Sequence, residues 1–235
     1  ELDLIIGGDR EHGDLETLLF IANLGAIVLH AWNARAKDPA RPDWIILDLD
    51  PKDAPFAHVI ELARAAKALC DEIALPAYAK TTGSSGLHVL IPTGGLLTHD
   101  QCKTFAELLA RVLVSRHEAI ATVVRIPAHR GGKVYIDFLQ NGHGKLLVAP
   151  FSVRPLPGAP VSMPLLWDEV REGLTPRQFH IRNAVPRLQS IGRDPSKLPN
   201  PADAPHPGAP PAPAPSRYPA LRARQLDLCE RARAR

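Results

Sequence analysis

Trp44-Ile45-Ile46-Leu47-Asp48-Leu49-Asp50-Pro51 is the stretch from which the fold is read. Four apolar residues lead into two aspartates one residue apart, and a proline ends the run. Side chains alternate faces along a strand, so Asp48 and Asp50 share one face and Leu49 takes the other. Trp44 to Leu47 read as a strand buried on both faces. Two carboxylates on one face at the end of a buried strand repel each other unless positive charge lies between them. A divalent cation meets that need, because hard cations such as Mg²⁺ take carboxylate oxygens and bind phosphates as well. Capping of the next helix, or exposure to water, accounts for a lone pair of this kind equally well, so the motif depends on its context.

Outward from this strand, Phe56 to Leu75 carries apolar residues at helical spacing (Val59, Leu62, Ala63, Ala66, Leu69, Cys70, Ile73), with Pro76 as its stop. Ala77–Lys80 and Leu87–Pro92 read as two strands joined by Thr81-Thr-Gly-Ser-Ser-Gly86. Thr98 with Gln101 three residues later predicts a capping box and a helix to about His117. Val134–Phe138 reads as a strand, Asn141-Gly-His-Gly144 as a hairpin turn, and Leu146–Ala149 as the hairpin's second strand. On the N-terminal side, Leu2–Ile6 reads as an edge strand, Asp14 as the N-cap of a helix to Leu24, and Ala26–Trp32 as a strand delivering His30. A helix is expected from Pro176. Helices and strands interleave around an antiparallel hairpin, which makes the class α+β.

Residues 1–190 are read as one domain and 191–235 as a Pro/Ala-rich tail with a basic end. The net charge of +3 permits nucleic-acid binding without demanding it, since six arginines lie after Ser216. Cys70, Cys102 and Cys229 are far apart and odd in number, which argues against a disulfide frame or a zinc site and for a reduced compartment. The longest apolar run, Leu18 to Leu29, is too short to span a bilayer. The expectation is a soluble, cytoplasmic protein with no membrane partner. His99, His117 and His129 are read as surface residues, and Cys70, Cys102, Trp44 and Trp167 as core.

Two further features share the chain with the aspartate pair. Thr82-Gly-Ser-Ser-Gly-Leu-His88 places hydroxyls and backbone N–H groups in a tight turn that suits phosphate oxygens, and it also suits a plain hairpin. Asp137 interrupts the apolar Val134-Tyr-Ile-Asp-Phe138; a carboxylate there needs a cation, either a metal or a side chain such as Arg130 or Lys133. Three strand aspartates around a Gly-Ser-His turn suit two-metal phosphoryl chemistry.

In that order, Ile46-Leu-Asp-Leu-Asp-Pro51, Ser85-Gly-Leu-His88 and Val134-Tyr-Ile-Asp-Phe-Leu-Gln-Asn141 resemble the archaeo-eukaryotic primase superfamily. The flanking Leu29-His-Ala-Trp32, Lys80-Thr-Thr-Gly83, Phe151-Ser-Val-Arg154 and His180-Ile-Arg-Asn183 resemble the polymerase domain of bacterial DNA ligase D, over roughly Asp14 to Leu188. The resemblance implies a primase-polymerase fold, with mixed and antiparallel sheets flanked by helices around a central cleft. It implies template-dependent nucleotidyl transfer in double-strand-break repair by end joining. Asp48, Asp50 and Asp137 would hold two Mn²⁺ or Mg²⁺ ions, with Asp137 also assisting the primer 3′-hydroxyl. His30, Thr82, Ser85 and His88 would contact the phosphates or sugar of an incoming NTP or dNTP, and Arg130, Gln140 and Arg154 would line the nucleotide pocket. The implied partners are gapped or overhanging DNA, Ku, and ligase and nuclease modules, in the nucleoid of a bacterial cytoplasm.

Two departures from the family's pattern stand out. Position 85 is often lysine in ligase-linked members, and Ser85 removes that charge. The several dozen residues that normally precede the helix at Asp14, with an aromatic pocket wall and lysines for a downstream 5′-phosphate, have no recognisable copy. A non-catalytic DNA-end-binding module is therefore an alternative reading. A D-x-D phosphatase is another, although Pro51-Lys52-Asp53 and the S-G-L-H block fit it poorly.

Overall fold

The computed structural model describes residues 15–35 and 38–191. The expected Leu2–Ile6 strand, the Asp14 cap, Cys229 and the 195–235 tail lie outside them. Along the chain run α1 (Leu15–Asn23), β1 (His30–Trp32), β2 (Trp44–Asp50), α2 (Phe56–Glu72), β3 (Tyr78–Thr81) and β4 (Leu87–Pro92). Then follow α3 (His99–Arg116), β5 (Ala121–Thr122), β6 (Val134–Asp137), β7 (Leu146–Val148), β8 (Pro164–Leu165) and α4 (Ile181–Ile191). The expected α+β class is what the chain adopts.

Strand β2 lies inside a six-stranded sheet of order β5-β6-β2-β4-β3-β8. Every pairing is antiparallel except that of β5 with β6. The alternation along β2 divides its side chains between two environments. Ile45, Leu47 and Leu49 enter the main core beneath α2 and α3, together with Leu62, Phe105 and Leu109. Burying each such aliphatic side chain contributes about 1.5–3 kcal/mol. On the opposite face Trp44 and Ile46 pack with Leu90, Tyr78 and Leu147 in a second, smaller cluster, and Asp48 and Asp50 complete that face. One half of the face is thus apolar and the other acidic.

The capping box of α3 forms as expected, with Gln101 N–H donating to Thr98 Oγ1 and Thr98 N–H donating to Gln101 Oε1. Several expectations need correction. Helix α2 ends at Glu72, before Pro76, because the chain turns through Ala74 in the left-handed region (φ 56°). The strand expected over 26–32 is confined to His30–Trp32. Strand β7 is not the hairpin partner of β6; it pairs with β1, His30 opposite Val148, as a separate two-stranded ribbon. Between them, Leu139–Asn141 form a single tight helical turn rather than a hairpin. The last helix starts at Ile181, not Pro176. His99 is buried, with Nε2 2.9 Å from the Pro39 carbonyl oxygen. Among the described residues no helix is long and apolar enough to cross a membrane.

Asn141 explains why β6 leaves the sheet where it does. Its amide accepts from Ile46 N–H (2.8 Å) and donates to the Ile46 and Phe138 carbonyls (2.8 and 2.7 Å). Strand β6 pairs with β2 only from Asp48 to Asp50. Beyond that point the fully buried Asn141 side chain satisfies the β2 backbone as a strand would.

Candidate functional site

Residues directly opposite one another on paired strands project to the same face. Across the sheet this aligns Asp137 with Asp48, Asp48 with His88, and His88 with Lys80. A row of four ionisable side chains therefore crosses four strands, with Asp50 beside it one pleat further along β2. His88 Nε2 lies 3.4 Å from Asp48 Oδ1. Burial holds the His88 imidazole below its ordinary pKa, the nearby Lys80 charge pushes the same way, and Asp48 opposes both. The neutral imidazole is favoured at neutral pH.

The turn between β3 and β4 forms one wall. Thr82 Oγ1 accepts from the N–H groups of Ser84 and Gly86, both at 3.1 Å, so these amides are turned inward and hold the turn's shape. The hydroxyls of Ser84 and Ser85 remain at the cleft. Gly86 is required by close approach, because a Cβ there would lie 2.1 Å from the Leu49 carbonyl oxygen. The turn is thereby seated directly on the aspartate strand. Gly83 (φ +69°) packs on Arg154 in the same manner, where a Cβ would come within 2.8 Å of Arg154 Cγ.

Asp48, Asp50 and His88, with the turn, Gln140, Arg154 and the β1–β7 ribbon residues His30 and Leu146–Val148, enclose a polar cavity of ≈ 220 Å³. The cavity brings together all the expected site residues except Asp137 and Arg130, which stand next to it. Asp137 Oδ1 accepts from Tyr135 OH (3.1 Å) and Leu139 N–H (2.8 Å), and Oδ2 accepts from Gln140 Nε2 (3.1 Å). Burial, followed by the charge of Asp137, pushes the Tyr135 phenol up to about 12, so it stays protonated and donates. Arg130 does not pair with Asp137. Its Nη1 donates to Asp50 Oδ2 at 2.8 Å, its Nη2 to the Arg125 carbonyl, and its guanidinium stacks over Tyr135.

The carboxylates are thus of the donor type that a hard divalent cation takes, but two of them are turned toward their own neighbours. Among the described residues, no three acidic, histidine or cysteine side chains converge to hold an ion as they stand. Tyr135, Asn141 and Lys80 join the site although the sequence assigned them no part in it, and Ser84 enters with the turn expected there. A lysine in Lys80-Thr-Thr-Gly83 at the end of an apolar strand was a signal available there.

Residues 11–196 match the family of LigD primase-polymerase domains. The multifunctional non-homologous end joining protein LigD of Pseudomonas aeruginosa is 36% identical over 184 residues, covering 76% of this chain and 21% of that protein. The bifunctional LigD of Bacillus subtilis is 31% identical over 190 residues, covering 79% of this chain and 31% of that protein. The chain therefore spans less than a third of the length of these relatives. Among solved structures, the polymerase domain of Mycobacterium tuberculosis ligase D in complex with DNA superposes with a TM-score of 0.62 at 30% identity, covering 70% of this chain and 57% of that one. The phosphatase reading has no counterpart in these matches. Motif order, sheet topology and a match running through all of the described residues agree, and the chain belongs to the family of LigD primase-polymerase domains.

Proposed function

We propose that this domain performs template-dependent nucleotidyl transfer, extending a primer with NTPs or dNTPs at gaps or overhangs during double-strand-break repair by non-homologous end joining. The observation that carries the reading is Asp48 facing Asp137 across β2 and β6, at a polar cleft walled by Ser84, Ser85 and Arg154. In this reading Asp48, Asp50 and Asp137 would hold two Mn²⁺ or Mg²⁺ ions. Such ions, when bound, offset triphosphate charge and make the primer 3′-hydroxyl a better nucleophile.

The chain's own residues orient the reactants. The hydroxyls of Ser84 and Ser85 and the Arg154 guanidinium meet the triphosphate, while Thr82 holds the turn that presents them. His30 approaches the nucleotide from the ribbon, and neutral His88 supports Asp48 from the floor. Gln140 keeps Asp137 in place to take up the 3′-hydroxyl proton as that oxygen bonds to the α-phosphorus. The bond from the α-phosphorus to the β-phosphate then breaks and pyrophosphate leaves. Arg130 holds Asp50 at the edge of the cleft through its 2.8 Å hydrogen bond. DNA, Ku, and ligase and nuclease modules are the proposed partners.

A second reading, a DNA-end-binding module without catalysis, draws on the pairing of Asp50 with Arg130 and of Asp137 with Gln140. Primer extension on a gapped duplex bearing a 5′-phosphate, in Mn²⁺, separates the two. Incorporation is expected, falling at least about 100-fold in Asp48→Ala, the scale on which loss of one charge-stabilising group acts. Undiminished incorporation in that variant overturns the polymerase reading, and DNA binding with no incorporation by the wild type favours the second.

A further inference from the structure

Lys80 is among the largest fully buried side chains of the domain. A buried ammonium carries a desolvation cost of several kcal/mol, and an apolar side chain of similar volume is commonly at least as stable in such a place. Neither of its hydrogen-bond acceptors bears a charge. Nζ donates to the Val148 carbonyl at 2.9 Å and to Ser162 Oγ at 2.7 Å. Burial, the dominant cause, and the charge of Arg154 pull its pKa down to about 7, against the pull of Asp48.

What the ammonium joins explains its presence. Val148 belongs to the β1–β7 ribbon, which shares no strand pairing with the main sheet. A two-stranded ribbon is marginal by itself and needs side chains to seat it. On its apolar half the ribbon rests through Leu147 on Trp44, Ile46 and Leu90. On its polar half Lys80 supplies the hydrogen bond that a neighbouring strand would have given, and Ser152 Oγ accepts from Leu29 N–H nearby. Ser162 Oγ in turn donates to the Thr81 carbonyl, so the Lys80 contact extends from the ribbon into the β3 backbone. His30 is paired with Val148 itself. Lys80 thus stands in line with Asp48 and His88 and fixes how far above them the ribbon lies.

We propose that Lys80 is a positioning residue for the nucleotide, fastening the β1–β7 ribbon, and with it His30, over the Asp48–His88 end of the sheet. The proposal rests on the polymerase reading for the identity of the ligand and on the geometry alone for the fastening.

Hydrogen–deuterium exchange of Lys80→Met, measured without nucleotide, tests the fastening. The amides of 146–149 are expected to exchange about tenfold faster, the effect of losing roughly one net hydrogen bond locally. Protection of 45–49 and 87–91 is expected to stay as in the wild type. Primer extension by the same variant should show KM for the nucleotide raised about tenfold with kcat within about twofold, the pattern of lost uniform binding. Ser162→Ala, which removes one acceptor and leaves the lysine, should move both readouts the same way by less, and it carries the test if Lys80→Met does not fold. Unchanged ribbon exchange in the folded variants, exchange raised equally across the whole sheet, or faster ribbon exchange with unaltered KM overturns the proposal. A wild type that incorporates no nucleotide defeats the polymerase reading and leaves the exchange result standing.

Discussion

Gly86 shows how closely one residue constrains the site. Its conformation is one that any residue adopts, so the requirement is purely one of space. An added methyl would meet the Leu49 carbonyl oxygen at 2.1 Å, well inside van der Waals contact. Backbone on both sides leaves no flexible end to yield, so the turn must lift from β2. Gly86→Ala is expected to destabilise the domain by about 1–3 kcal/mol, the usual range for overpacking a filled position. Urea denaturation measures this, and a midpoint equal to that of the wild type would show that the turn is not seated on β2. The same displacement would carry Ser84 and Ser85 away from Asp48 and Asp50.

At the level of elements, the acidic end of β2 is shaped by where β6 stops. The Asn141 amide takes over from β6 at Ile46, and the tight turn that places it also places Asp137 and Gln140. Asn141→Ala leaves a backbone N–H and two carbonyls without this partner inside the protein. The expected loss is about 2–4 kcal/mol of stability, from buried groups left unsatisfied at about 1–3 kcal/mol each with partial relaxation. Primer extension should fall together with stability, because Asp137 depends on the same turn. Thermal denaturation alongside incorporation reads both, and a variant as stable as the wild type would mean that Asn141 does not anchor this turn.

For the whole molecule, the site lies on a seam between a sheet with a large core beneath it and a ribbon held from above. Neither body encloses the cleft alone. If Asp48, Asp50 and Asp137 gather a cation there, binding stabilises the folded state by mass action. A ligand at 100 times its dissociation constant adds about 2.7 kcal/mol. Mn²⁺ should accordingly raise the melting temperature of the wild type and leave Asp48→Ala nearly unmoved. Equal shifts in the two proteins would place the ion elsewhere, and no shift in either would favour the end-binding module.

The local chemistry of this domain is legible in its residues alone. The alternation of Trp44–Asp50 put both aspartates on one face, the spacing of Val59 to Cys70 gave α2 its buried side, and Thr98 with Gln101 gave α3 its start. These features depend on residues within a turn or two of one another, and their period survives in the sequence. The ordered motifs also carried the family, because each motif keeps its residue types whatever surrounds it. Which strand lies beside which is set by long-range packing and appears only in the folded chain. Val134–Asp137 followed by Asn141-Gly-His-Gly144 and Leu146–Val148 has the local pattern of a hairpin, yet β7 turns away to pair with β1. The reason is that both edges of β6 are already taken, by β5 on one side and β2 on the other, and Leu147 finds its apolar partners on the far half of the sheet. Arg130 reaching Asp50 and Lys80 reaching Val148 join residues 80 and 68 positions apart. A charged residue's partner at such separation is set by strand order, and strand order is settled by how the two faces of the sheet are covered.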